Sequence, residues 1–201
     1  MKTFVCALMV VLAIAGTATA QSPEDRCRAI AQREYPNDAQ LQRFVYNQQI
    51  AAYRDMVAVT DADVKEIALR EYPEDFAMQK FTYDQQSAAK RYMGTVRDAQ
   101  VKEIALREYP HDYAMQKFTY DQQLAAKNYM ATVADTEVKK IALREYPNDF
   151  AMQKFTYDQQ LSAKQYMAAM PNDRAKQQAI REYPYDYAMQ KFTYDQLRRE
   201  R

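Results

Sequence analysis

Arg70-Glu71-Tyr72-Pro73-Glu74-Asp75 is the stretch that decides the fold, because the chain spells it five times. The pattern Arg-Glu-Tyr-Pro-x-Asp begins at Arg33, Arg70, Arg107, Arg144 and Arg181, always 37 residues apart. A period of that length is the signature of a repeat architecture, in which each copy is one supersecondary unit. The units run 24–60, 61–97, 98–134, 135–171 and a shortened 172–201. Units two and three agree at 30 of 37 positions, which points to duplication of one module. The first and last copies diverge most, as caps with a single neighbour do.

Within a unit the residues read as two helices. Asp61 is placed to cap a helix A, matched by Asp98, Asp135 and Asn172. Val64, Ile67 and Ala68 form its apolar stripe at helical spacing. Pro73 ends helix A near Tyr72, since its ring cannot continue the helix and pushes the preceding residue towards extended backbone. Asp75 then caps a helix B that starts at Phe76 and reaches about Met93. Met78, Phe81, Gln85, Ala88 and Tyr92 alternate spacings of three and four and read as its packing seam. Phe76, Tyr83 and Ser87 fall on a second face, where Leu124 and Leu161 replace Ser87 in later copies. A helix apolar on two sides lies between neighbours. The expected fold is therefore all-α, five tandem two-helix repeats stacked as helical hairpins or an α-solenoid. Long helices kinked at each Tyr-Pro are the alternative. The break at Met170-Pro171-Asn172-Asp173 and Gly94 at an equivalent junction favour two helices per unit.

Residues 1–20 read as a secretory signal peptide. Lys2 is followed by an apolar run from Phe4 to Gly16, and Ala18-Thr19-Ala20 supplies a small-x-small cleavage pattern. The expected mature chain begins at Gln21, forms a single repeat domain over 21–201, and is secreted or periplasmic. Lys2 is the only charge in the signal, which leaves 27 basic and 27 acidic residues in the rest. Nucleic-acid binding, which draws on a basic excess, is not expected, nor is membrane insertion after cleavage. Cys6 leaves with the signal, so Cys27 stands alone and no internal disulfide is available. Cys27 aligns with Val64, Val101 and Val138 on the helix A stripe, which suits a buried thiol; an intermolecular disulfide joining a homodimer is the alternative.

Tyr109-Pro110-His111-Asp112-Tyr113-Ala114-Met115-Gln116-Lys117-Phe118, followed by Gln122, resembles a helical segment of uncharacterised small exported bacterial proteins. In those the proline is often absent and cysteines flank the segment; here neither cysteine is present. The resemblance spans about twenty residues per unit and implies no activity.

Glu71 and Gln85 recur in every copy, as Glu108 with Gln122 and Glu145 with Gln159, and are expected to form buried polar pairs between helices. The carboxylates Glu71 and Asp75, with their counterparts, could instead do general acid–base work, but an active site occurs once and these occur five times. His111 is the only histidine and sits at a variable turn position. There is no Gly-rich phosphate loop, no G-x-S-x-G and no Cys–His pair, so no enzyme, no metal site and no cofactor is expected. Tyr83, Tyr120, Tyr157 and Tyr194 either pack between repeats or, if their face is open, form an aromatic binding ladder. The functional expectation is an exported non-catalytic module that binds or scaffolds at several equivalent sites, with a protein or cell-envelope polymer as partner. An extracellular self-assembling material rich in Tyr, Lys and Gln is the second reading. A hydrolase using a carboxylate pair is the third.

Overall fold

The computed structural model describes residues 21–199. Ten α-helices account for nearly all of them: α1 (Pro23–Glu34), α2 (Ala39–Ala58), α3 (Ala62–Glu71), α4 (Phe76–Thr95), α5 (Ala99–Glu108), α6 (Tyr113–Thr132), α7 (Thr136–Glu145), α8 (Phe150–Ala169), α9 (Arg174–Glu182) and α10 (Tyr187–Arg199). Odd-numbered helices are the short A helices and even-numbered ones the long B helices. Each A helix packs on its own B helix, and each B helix packs on the next, so α2, α4, α6, α8 and α10 form a continuous row. This is the two-helix reading; the helices end at Thr95, Thr132 and Ala169 and restart after short extended links. The signal-peptide expectation falls on residues 1–20, outside the described residues.

The repeated motif builds the hairpin turn atom by atom. Tyr72 closes helix α3, its N–H bonded to Ala68 O, and takes φ −130° and ψ 70° before Pro73. Its carbonyl, one of the orphans at a helix C-terminus, accepts from Gln79 Nε2 at 2.6 Å. Tyr109, Tyr146 and Tyr183 are bound by Gln116, Gln153 and Gln190 in the same way. Three of these glutamines, Gln79, Gln116 and Gln153, are only 1% exposed. The Oε1 atoms of Gln116 and Gln153 are buried without a partner, a local cost of holding the turn. Asp75 then caps α4 by accepting from Met78 N. The arginine of the motif lies in the last turn of each A helix, where a cation is favoured by the helix dipole.

Two boundary expectations shift. The last A helix is capped by Asp173, which accepts from Lys176 N, rather than by Asn172; Pro171 displaces the start by one residue. Helix α1 is capped by Ser22 and begins at Pro23, ahead of the position equivalent to Asp61.

The helix B seam is corrected more substantially. Phe81, Gln85 and Ala88 face solvent, while Phe76, Gln79, Thr82, Gln86, Ala89 and Met93 are buried. Hydropathy assigns Phe to the interior and Gln to the surface. Here two glutamines are drawn inside because they satisfy backbone groups that would otherwise be stranded there, and the helix rotates accordingly.

Because each repeat contacts its neighbours through identical positions, deleting residues 98–134 joins unit two to unit four in register. The shortened protein is expected to keep its helical circular dichroism per residue and unfold cooperatively, at a lower midpoint. Loss of helicity would show that the copies depend on more than their neighbours.

Candidate functional site: the free face of the B helices

Of the two readings open for the recurring tyrosines, packing between repeats or an open ladder, the structure takes the first. Tyr120, Tyr157 and Tyr194 are each 3% exposed, and Tyr83 is partly buried. Each ring lies edge-on to a tyrosine of the preceding repeat in three junctions, Tyr92–Tyr120 and Tyr129–Tyr157 at 6.2 Å and Tyr166–Tyr194 at 6.4 Å. The hydroxyls of Tyr83, Tyr120 and Tyr157 accept from the N-cap amides of Asp61, Asp98 and Asp135. Tyr120 and Tyr157 thus join an A helix to its own B helix and to the repeat before, and with Tyr194 they are too buried to offer an open surface.

The expected polar pairs do not form. Glu71, Glu108 and Glu145 are exposed, and so are Gln85, Gln122 and Gln159. The pairing that does form uses the next glutamine along. Gln86 Nε2 donates to Asp112 of the following repeat at 2.8 Å, and Gln86 Oε1 accepts from Ala114 N at 3.1 Å. Gln49, Gln123 and Gln160 repeat both bonds with Asp75, Asp149 and Asp186 and with the amides of Ala77, Ala151 and Ala188. A doubled Gln-Gln recurs in the sequence, and the signal that separates the two is their helical phase relative to Ala89 and Met93. Among the described residues the Glu71 side chain has no hydrogen-bond or ion-pair partner.

What the row of B helices leaves open is a different line of residues. Phe44, Phe81, Phe118, Phe155 and Phe192 are 66%, 54%, 59%, 59% and 56% exposed, one ring per repeat. Gln48, Gln85, Gln122 and Gln159 lie one turn on and are exposed too, followed by Ala51, Ala88, Ala125 and Ser162. On α4 the contacts to α3 and its flanking residues come from Gln79, Tyr83 and Lys90. At about 100° per residue Phe81 falls on the opposite side of the helix, so the strip lies on the face turned away from the A helices. Scattered exposed apolar residues need no explanation; five phenylalanines at one register do. The strip is uncharged through four repeats of a chain that is 27% charged. Its chemistry is an aromatic face for stacking beside an amide that both donates and accepts.

Charge concentrates along the edges between repeats. Lys90, Lys127 and Lys164 bridge to the N-cap carboxylates Asp61, Asp98 and Asp135 at 2.8 to 2.9 Å. The same ammonium groups stand 5.1 Å from the Tyr113, Phe150 and Tyr187 rings of the next repeat. Asp121 and Asp158 accept from Lys117 and Lys154 of their own helix, and also from the Tyr92 and Tyr129 hydroxyls of the repeat before. A shallow groove recurs between an A helix and the following Tyr-Pro turn. One copy is lined by Glu66, Ile67, Arg70, Pro110 and His111, another by Glu103, Ile104, Arg107 and Asn148. The turn residue differs in each, so the grooves are not chemically equivalent. His111 is exposed there.

Cys27 has no exposed surface and packs with Ile50, Ala52 and Phe76. Burial pushes its thiol pKa up, with nearby Glu24 acting in the same direction. Among the described residues no group of three or more His, Cys, Asp or Glu side chains is placed to hold a metal ion. Among them, too, no helix is long and apolar enough to cross a membrane. Comparison with family models, with curated proteins and with solved structures gives no match to this chain.

The repeat edges set the pH dependence of stability. The bond to Asp121 or Asp158 pushes the Tyr92 and Tyr129 pKa values up to about 12, from an ordinary 10.0. A raised pKa means the folded state prefers the neutral phenol, so this contribution is complete below pH 10 and is lost as pH climbs towards 12. Lys90 and Lys127, by their hydrogen bonds, hold Asp61 and Asp98 below the ordinary 3.8; for Asp135 the Val138 amide leads, followed by Lys164. That contribution is present above the ordinary carboxylate value and is lost as pH falls through the lowered ones. Thermal midpoints followed by circular dichroism are expected to hold a plateau near neutrality and fall on both sides. Replacing Tyr92, Tyr129 and Tyr166 together by Phe should flatten the alkaline limb. The acid limb should keep the part set by Asp61, Asp98 and Asp135, and weaken only by what the lost hydroxyls contribute, after the lysines, to lowering Asp121, Asp158 and Asp195.

Proposed function

We propose that this protein is an exported, non-catalytic repeat module that binds or scaffolds a protein or a cell-envelope polymer through the Phe–Gln strip. One observation carries the reading: the strip is retained where the repeats have otherwise drifted. Units one and two agree at only 17 of 37 positions. Most agreements are explained by the fold, including the Tyr-Pro turn, the capping Asp, the two buried glutamines and the small and Met residues of the core. Phe44 with Phe81, Gln48 with Gln85 and Ala51 with Ala88 are also shared, although all six are exposed and support no packing. Retention of exposed aromatic residues at one register favours a contact made by every repeat.

Five equivalent weak contacts on one scaffold raise avidity well above the affinity of any single one. Aromatic anchors are the residues that dominate such contacts. The signal-like sequence of residues 1–20 supports a place outside the cytoplasm, in a periplasm or beyond the cell. The motif carboxylates lend a catalytic role no support: Asp75 and its counterparts are engaged as helix caps, and Glu71, Glu108 and Glu145 are exposed. A Cys27-linked homodimer is disfavoured by the depth of the thiol.

The test grades the strip. Mature protein with Phe81→Ser, then Phe81→Ser and Phe118→Ser, then Phe155→Ser as well, is applied to the envelope fraction of its own cells and the bound fraction measured. Circular dichroism should be unchanged, because the removed rings are exposed. Binding is expected to fall with each removal by more than the last, as avidity collapses. Equal binding by wild type and the triple variant would refute the strip as the contact surface.

A further inference from the structure

The four internal junctions in the row of B helices draw on three devices, each at a fixed position in the repeat. The first is the glutamine that holds the next helix B, Gln49, Gln86, Gln123 and Gln160. The second is an aromatic ring at the first residue of that next helix, Phe76, Tyr113, Phe150 and Tyr187, lying beneath a cation of the preceding repeat. The third, in three junctions, is an aspartate that takes the preceding repeat's tyrosine hydroxyl, Asp121, Asp158 and Asp195.

The two outer edges of the stack depart at these positions. On the first repeat the aromatic position is Ala39 and the aspartate position is Asn47. On the last repeat the glutamine position is Leu197. Neither edge is left unsatisfied. Asp38 receives both Gln40 N and Leu41 N at 2.9 Å, so it takes the amide that a preceding glutamine takes elsewhere. Leu197 packs against the core formed by Met167, Ala175, Ala179 and Tyr194 of its own end.

We infer that these substitutions close both edges of the repeat stack to a second copy of the chain. A row of identical units presents complementary surfaces at its two ends, and head-to-tail contacts of that kind do not close but grow into filaments. Docking a second copy here would bury Asp38 against Leu197, which has neither donor nor acceptor, and would strip water from a carboxylate for nothing in return. The aromatic ring that lies beneath a cation at every internal junction is absent as well, its position being Ala39. The strip therefore keeps the length that one chain gives it, instead of growing as a fibre. This conclusion stands whether or not the strip binds a partner.

Sedimentation velocity over a wide concentration range tests it, with circular dichroism as the check on folding. Wild-type mature protein is expected to sediment as a single species that does not grow with concentration. The triple variant Ala39→Tyr, Asn47→Asp, Leu197→Gln is expected to associate into a ladder of increasing size. A variant carrying only the first two changes and one carrying only Leu197→Gln should each stay as wild type alone, and form a one-to-one complex when mixed. Growth of the wild-type protein with concentration would overturn the inference. So would a folded triple variant that does not associate, or two half-variants that ignore each other.

Discussion

Every B helix after the first has its N-terminus held twice, once by its own aspartate and once by a glutamine from the repeat before. Four N–H groups are orphaned at the start of any helix, and here two of them point at the junction between repeats. The aspartate takes the third amide, the glutamine carbonyl takes the second, and the glutamine NH2 binds the aspartate itself. The triangle closes only at one register, because sliding the helices would strand the amide, the carboxylate and the glutamine together. Such a network specifies geometry more than it adds energy: a hydrogen bond nets about 0.5–1.5 kcal/mol, whereas a stranded buried group costs about 1–3 kcal/mol.

Once that register is set, the rest follows from it. The B helices form a row; at three of its four junctions tyrosines meet edge to face, and a lysine lies between one repeat's cap and the next repeat's ring. The A helices are left to cover one side of the row, the three middle ones each tied on by a buried glutamine at the end and a tyrosine hydroxyl at the start. Among the described residues nothing covers the opposite side, and there the phenylalanines stand in line. The first repeat shows the triangle's fallback state, with Asp38 serving both amides by itself.

The sequence made the repeat, the helix pairs and most of the caps readable, because Pro73, Asp61, Asp75 and the Val64–Ile67–Ala68 stripe act locally. The facing of helix B was not readable from hydropathy. Two nearly equivalent stripes run along it, one holding Phe81 and Gln85 and the other Gln79 and Gln86, and composition favours burying the first. What decides is the demand of backbone groups at the turn and at the next helix start, which are non-local partners of Gln79 and Gln86. The same inversion put Tyr120 inside and Phe118 outside. Glu71 and Gln85 do not pair for this reason: the carboxylate that meets a glutamine here is a helix cap one repeat away.

The account stands on the coupling between neighbouring repeats through this triangle, and a double-mutant cycle on Gln123 and Asp149 measures it. Unfolding free energies of wild type, Gln123→Leu, Asp149→Ala and the double variant would be compared in urea. The two losses are expected to overlap, the double variant being more stable than the sum of singles predicts by about 0.5–3 kcal/mol, as for residues in one network. Losses that add within about 0.3–0.5 kcal/mol would mean that the glutamine and the capping aspartate act independently, and the repeats would have to be held in register by something else.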